Sequence, residues 1–494
     1  MATLLSFGLG ALLSVSLAPM HILLSLPVAA GGIGMIALWA RTALQGAVIG
    51  WLIGLGYFSF GLSWIVEPFQ IDAERYAWMA PFALVFLAAG LALFWGLAFG
   101  LAARWSRGGP RLLLLIAFWS LAEFGRAYLL TGFPWAGFGQ FWIETPAAQL
   151  LPLVGAQGLS LLTLVVLLPL ALVRRRPLLA IAPLLLVALG GYALSPLPAL
   201  EMTDTRVRLV QPNAPQAEKW LAERRWDFVR RAIELSETPA SPDQSSPEQP
   251  APDLIIWPET TVPQLLNNAE DTLSAIRSRI GPVPLLLGIQ RREEERYYNS
   301  AILLDAAGGV SQTYDKTHLG PVGEYVPFGD LMARFGIYGF AAQSGAGYSA
   351  GSGPGLMDLG IGLAMPLICY EAVFAQDVNA VPVRPDMLVQ ITNDAWFGTR
   401  SGPYQHLVQA RLRAAEQGLP MLRAANTGIT AMIDPYGRMR ESIPRGQAGA
   451  VDAALPKPLP ATLYSRTGDW PVFLLTLILA LLGAKLAQRP VLRS

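Results

Sequence analysis

The first 200 residues contain no lysine and only 14 charged side chains, leaving 57 of the chain's 71 charges (36 basic, 35 acidic) for the remaining 294 positions. A soluble surface needs roughly a quarter of its residues charged. A segment this apolar therefore has its outer face in lipid. The chain reads as two materials joined end to end, and its overall charge of 14% against 53% hydrophobic residues follows from that division.

Seven mostly apolar runs fill the first part, at 3–19, 21–39, 43–66, 76–103, 111–130, 154–173 and 177–195, and an eighth runs from Trp470 to Leu486. About 20 residues cross a bilayer as a helix, so an eight-span helical bundle is expected. The first run lacks a basic leader and a clear cleavage site and leads directly into the next, which argues for an uncleaved helix rather than a signal peptide. Arg41, Arg104, Arg107, Arg111, the Arg174–Arg176 run, Lys485, Arg489 and Arg493 fall on one side of such a bundle. Glu67, Asp72, Glu74 and Glu144 gather on the other with the single Arg75. Positive charge marks the cytoplasmic side, so both termini are expected inside and the polar insertion outside. The expected division is 1–200, 201–465 and 466–494.

Within the insertion, short β-rich runs alternate with helical stretches, the pattern of a layered α/β or α+β domain. Strands are expected at Val207–Gln211, Leu254–Trp257, Pro284–Ile289, Asn299–Leu304, Gly362–Ile368, Met387–Thr392 and Thr430–Ile433. Helices are expected at Lys219–Glu237 and Tyr404–Glu416, the latter basic on one face. The Pro/Ser/Gln-rich stretch 238–252 cannot bury apolar surface. A Gly/Ser/Ala-rich segment, 339–355, is either a tolerated insertion or a lid.

A net charge of +1 with no basic block gives no electrostatic case for nucleic-acid binding. One cysteine permits no intramolecular disulfide. His21, His318 and His406 are too scattered for metal-ligand spacing, so neither a metal nor a cofactor is expected. Three residues remain at the ends of expected strands. Cys369 follows the apolar run GIGLAMPLIC and precedes Tyr370-Glu371, a strand-to-turn position where a nucleophile meets backbone N–H groups. Glu259, in DLIIWPET, has Trp257 and Pro258 to desolvate it, which suits a general base. Lys316, in TYDKTHLGPVGEYVPFG, precedes a Gly/Pro-rich turn. Singly, each has an ordinary reading: a buried small hydrophobe, a solvated loop carboxylate, a surface cation. Together, a thiol, a carboxylate base and an ammonium form a complete nucleophilic site without histidine.

The segments WPET, YDKTHLGPVGEYVPFG, ICYEAVF and TNDAWFG resemble those of the carbon–nitrogen hydrolase (nitrilase) superfamily. With seven runs before the domain and one after, the whole chain is similar to the bacterial apolipoprotein N-acyltransferases. That resemblance implies an α-β-β-α sandwich inserted before the last span and carrying a Glu259–Lys316–Cys369 triad. It also implies supporting roles for Glu324, Tyr370 and Glu371, and for Trp220 on a mobile arm. The implied reaction moves an acyl chain from a phospholipid to the α-amine of a diacylglyceryl-cysteine lipoprotein through a thioester, without cofactor, in a bacterial inner-membrane protein acting as a monomer with its catalytic domain in the periplasm. Both substrates carry acyl chains, so a lipid-lined opening using Phe133, Trp135, Phe138, Phe141 and Trp142 is expected, an interfacial aromatic belt being the alternative. A water-using amidase with the same triad, and a transporter with an accessory domain, are the rival readings. Glu123 and Arg126, the chief intramembrane charges, have the spacing to pair within one helix.

Overall fold

A computed structural model of the chain describes residues 2–193, 197–237, 251–321, 323–325 and 347–488. The stretches 238–250 and 339–346 and Arg489 and Arg493 lie outside the described residues. The chain divides into two compact units, one of Met1–Pro198, Phe397–Val408 and Ala461–Ser494, the other of Ala199–Trp396 and Gln409–Pro460.

The first unit is helical. Each of the eight apolar runs contains a helix: Ala2–Ser14, Ser25–Trp39, Ala43–Gly61, Ala80–Trp105, Gly109–Tyr128, Leu151–Leu167, Pro177–Ala193 and Trp470–Ala487. Four helical stretches are long and apolar enough to cross a bilayer, namely Ala43–Gly61, Ala73–Trp105, Pro146–Leu172 and Trp470–Ala487. At ~1.5 Å per residue the 15-residue Ser25–Trp39 helix falls short of a ~30 Å hydrocarbon layer. The first helix ends at Ser14 instead of continuing to 19, and Ser25 opens the second four residues later than expected. Close packing follows from small residues: a Cβ on Gly50 would stand 2.6 Å from the Trp95 carbonyl oxygen, so glycine lets Ala43–Gly61 approach Ala80–Trp105 backbone to backbone.

The charges inside this unit are held by specific partners. Arg111 donates to the carbonyls of Ala37, Leu38 and Ala40, a cation at a helix C-terminus where the backbone leaves acceptors unfilled. Glu123 and Arg126 pair at 2.5 Å, as their spacing suggests. Glu123 also accepts from the Trp95 indole at 2.8 Å, and Arg126 donates to the carbonyls of Phe133 and Trp135. The expected aromatic lining is corrected in part. Trp135, Phe138 and Phe141 are buried core residues, with Phe138 packed on Tyr57, Trp95 and Trp119.

The second unit holds two six-stranded sheets with related order. In the first, β1 (Met202–Gln211), β2 (Leu254–Ile256) and β3 (Leu285–Glu293) run parallel. Antiparallel β4 (Arg296–Leu304) and β5 (Val310–Asp315) extend one edge, and β12 (Gly449–Pro456) covers the other. In the second, β7 (Leu363–Ile368), β8 (Met387–Thr392) and β9 (Met421–Ala425) form the parallel trio. It is flanked by β6 (Met357–Asp358) and by β10 (Thr430–Ile433) with β11 (Met439–Ile443). Strands β2, β8 and β9 are buried along their whole length, as expected of parallel strands covered on both faces. Helices Arg225–Glu237 and Glu270–Ile280 close the first sheet through a core that includes Val229, Ala232, Ile255, Trp257, Leu273 and Ile276.

Two helix expectations change. Lys219–Glu237 is not one helix: a short turn, Gln216–Lys219, ends at Trp220, and a new helix begins at Arg225. The Pro215 carbonyl takes the N–H groups of both Glu218 and Lys219, closing the first turn on itself. The helix Gly402–Gln417 forms as expected, but Arg411 and Arg413 are buried. Arg411 donates to the Gly437 carbonyl at 2.7 Å and Arg413 to Glu416 at 2.8 Å.

Candidate active site

The carboxyl ends of parallel strands are where α/β sheets gather their functional residues, and both trios obey this. Glu259 lies three residues beyond β2, Cys369 directly beyond β7 and Asn393 directly beyond β8. Lys316 follows β5 on the edge of the first sheet.

Cys369 opens a turn, Cys369–Val373, at φ +53°. A side chain in this left-handed region costs about 1–2 kcal/mol, so other contacts must hold it there. The Gln390 amide donates to the Cys369 carbonyl at 2.9 Å, and buried Arg423 donates to both Gln390 and Asp394, the latter at 2.6 Å. Thr392 bonds Asp394 at 2.9 Å and reaches the Cys369 thiol. Burial first, and the Glu259 carboxylate second, push the thiol well above its ordinary pKa, against the opposing pull of Lys316. At rest the sulfur keeps its proton.

Glu259 is fixed at both oxygens. Oε1 accepts from the Asn299 side chain at 2.6 Å, and Oε2 from the Asn393 backbone N–H at 2.7 Å. That second bond joins residues beyond strands of different sheets. The turn bearing Glu259 continues through Thr260 at φ +47° and runs close under β3. A Cβ on Gly288 would lie 2.5 Å from the Thr260 nitrogen and 2.6 Å from the Glu259 Cα, so this close approach requires glycine.

Lys316 is 1% exposed, with its ammonium 2.8 Å from the Glu324 carboxylate and 3.9 Å from that of Glu259. Burial alone would lower its pKa, but Glu324, Cys369 and Glu259 together outweigh burial and raise it above the usual lysine range. Glu324 also accepts from the Gly320 N–H at 2.7 Å and from Asn299 at 3.3 Å. Glu371 joins two chain segments. It takes the Ile368 N–H at 2.7 Å beside Cys369, and it takes the Thr317 N–H at 2.7 Å and the Tyr314 hydroxyl at 2.9 Å beside Lys316. Burial raises the Glu371 carboxyl from its ordinary value despite those donors. Tyr370 is buried with its ring edge-on to Phe374, 4.9 Å between centroids.

The structure thus brings Glu259, Lys316, Glu324 and Cys369 into one charged cluster with Glu371 behind it. Trp220 sits half-buried one residue beyond Lys219, whose ammonium lies 5.6 Å over the indole. Four contributors escaped sequence reading: Asn299, Asn393, Thr392 and Lys219. Asn393 stands within TNDAWFG, and its place directly after an apolar strand was the available signal. Asn299 and Lys219 carried none, because their roles depend on which strands become neighbours. Among the described residues, no group of three or more His, Cys, Asp or Glu side chains is arranged to hold a metal.

Residues 206–459 match the family model for carbon-nitrogen hydrolase, and residues 9–168 that for the apolipoprotein N-acyltransferase N-terminal domain. An apolipoprotein N-acyltransferase of Rhodopseudomonas palustris is 36% identical, over 97% of this chain and 94% of its own. That of Bradyrhizobium diazoefficiens is 37% identical, over 89% and 85%. Among solved structures, a CN-hydrolase superfamily protein from Xanthomonas campestris matches 55% of this chain and 97% of its own, at 21% identity and a TM-score of 0.34.

Proposed function

The chain belongs to the apolipoprotein N-acyltransferases, enzymes of lipoprotein maturation, and on that premise we propose that Glu259, Lys316 and Cys369 carry an acyl transfer from a phospholipid to the α-amine of a diacylglyceryl-cysteine lipoprotein. The observation that carries this reading is a buried thiol on a left-handed turn, within the field of an oriented carboxylate and a buried ammonium.

In the first half-reaction Glu259 takes the proton of Cys369 as sulfur attacks the ester carbonyl. Lys316 and the backbone N–H of Tyr370 stabilise the oxyanion. Sulfur–carbon bond formation and carbon–oxygen cleavage leave a thioester, and Glu259 returns the proton to the departing lysophospholipid. In the second half-reaction the amine attacks the thioester and Glu259 accepts its proton; the carbon–sulfur bond then breaks and Glu259 passes that proton to the leaving sulfur, giving an amide and the regenerated thiol. Two products leave in two steps, so the kinetics are ping-pong. Glu324 holds the Lys316 ammonium, Glu371 ties the nucleophile's turn to the Lys316 segment, and Tyr370 and Trp220 border the site. No cofactor is required.

The helices anchor the enzyme in the bacterial inner membrane, sparing both substrates the cost of about 0.8 kcal/mol for each methylene brought into water. The arginine distribution supports cytoplasmic termini, eight crossings and a periplasmic catalytic domain over 201–465, with 1–200 and 466–494 as its membrane flanks. The enzyme acts as a monomer. The deciding experiment is intact-protein mass spectrometry of detergent-solubilised enzyme incubated with phosphatidylethanolamine. One acyl chain gained, lost on neutral hydroxylamine and absent from Cys369→Ala, supports the reading. No adduct on rapid quenching defeats it.

A further inference from the structure

The site contains a second buried lysine that the mechanism above does not use. Lys219 is 4% exposed, and lysine is almost never buried to that degree without partners. Its ammonium donates to the Glu259 carbonyl oxygen at 3.1 Å and to the Thr260 hydroxyl at 2.9 Å. Those two residues form the turn that presents the Glu259 carboxylate, and Thr260 is its left-handed member. We propose that Lys219 is a positioning residue for acyl transfer, whose ammonium clamps the Glu259 turn and supplies the site's second positive charge. The proposal rests on the triad reading given above.

Charge balance supplies the reason for a second cation. Glu259 and Glu324 bring two negative charges to the cluster, and Lys316 answers one. With Lys219 protonated the charges of these four groups sum to zero before reaction, and the total is unchanged when the proton moves from Cys369 sulfur to the Glu259 carboxylate. With Lys219 neutral, the thiolate forms beside an uncompensated negative charge in a buried site, where such repulsion is weakly screened.

The surroundings make this charge conditional on pH. Burial lowers the Lys219 pKa to about 8, against the pull of Glu259 and Cys369, which favour the ammonium. Trp220 offers its ring face at 5.6 Å. Arg225, Thr261 and Asn426 border a narrow cleft with Lys219, Arg225 being the other charged group there. As pH rises through about 8 the clamp loses its charge, so thioester formation should slow on the alkaline side.

The test is the pH profile of acyl-enzyme formation by full-length protein in detergent with phosphatidylethanolamine, quenched and weighed. Wild type should slow above pH 8. Lys219→Arg, whose charge persists beyond pH 12, should shift that fall upward by more than about one pH unit, a change that a merely structural role would not produce. Lys219→Met should be slowed on the order of 10- to 100-fold at neutral pH. An alkaline fall unmoved in Lys219→Arg, or wild-type rates in folded Lys219→Met, overturns the proposal. Glu259→Gln and Cys369→Ala are run beside them. If these remain competent the triad reading itself fails, whereas if they are defective while the Lys219 variants match wild type, only the role of Lys219 falls.

Discussion

Lys316 is bound to Glu324 at 2.8 Å and stands back from Glu259 at 3.9 Å. The ammonium therefore belongs structurally to Glu324, which leaves the Glu259 carboxylate to Asn299 and Asn393 and able to accept a proton. On the proposed mechanism the two carboxylates have different tasks, and substitution should separate them.

Glu259→Gln removes the proton acceptor and should lower the rate of thioester formation by about 10²- to 10⁴-fold. Glu324→Gln leaves that acceptor in place. It should cost on the order of 10- to 100-fold, a loss that deepens as pH rises, because Lys316 without its nearest carboxylate gives up its proton more readily. Single-turnover rates across pH distinguish the two.

Cys369→Ser should leave the fold intact and reduce transfer by at least about a thousandfold, since a hydroxyl beside a carboxylate base is a much weaker nucleophile. Near-normal turnover of the serine variant would contradict a covalent thioester.

The raised pKa of Cys369 makes a further claim. The rate of alkylation by iodoacetamide in the resting enzyme should still be climbing beyond pH 9, since the thiolate is the reacting form and is scarce below the folded-state pKa. A plateau below pH 8 would indicate a standing thiolate instead.

Gly288→Ala places a Cβ against the Glu259 turn. Overpacking of this kind costs about 1–3 kcal/mol, and because it moves the base, activity should fall further than stability does. Thermal unfolding and acyl-enzyme formation, measured on one preparation, give both.

Arg423 and Asp394 form a wholly buried pair at 2.6 Å. Arg423→Met leaves a carboxylate without its cation, a loss of about 3–5 kcal/mol, so the unfolding midpoint should drop well below that of wild type. Equal stability would show that the pair is dispensable to the nucleophile's support.

Much of this was legible in the sequence, and for identifiable reasons. The strands at Met387–Thr392 and Thr430–Ile433 have their expected bounds because short, mostly apolar, β-prone runs between breakers leave little choice. Strand β9, Met421–Ala425, escaped notice: it contains Arg423, and only the buried pairing with Asp394 makes that charge tolerable in a sheet centre. The break at Trp220 was equally hidden, since Lys219 satisfies its charge across 40 residues, at Glu259. The triad residues stood out because each follows a strand. Asn299 and Lys219 did not, because what they touch is decided by topology rather than by neighbours in the chain.

Glu259 and Cys369, the proposed proton acceptor and nucleophile, follow strands of different sheets, and the Asn393 N–H on Glu259 Oε2 joins the two sheets. A domain with one sheet formed has a thiol and nothing to take its hydrogen, or a carboxylate aimed at no sulfur. On the proposed mechanism chemical competence requires both sheets, so a half-assembled chain would be inert toward the lipids around it.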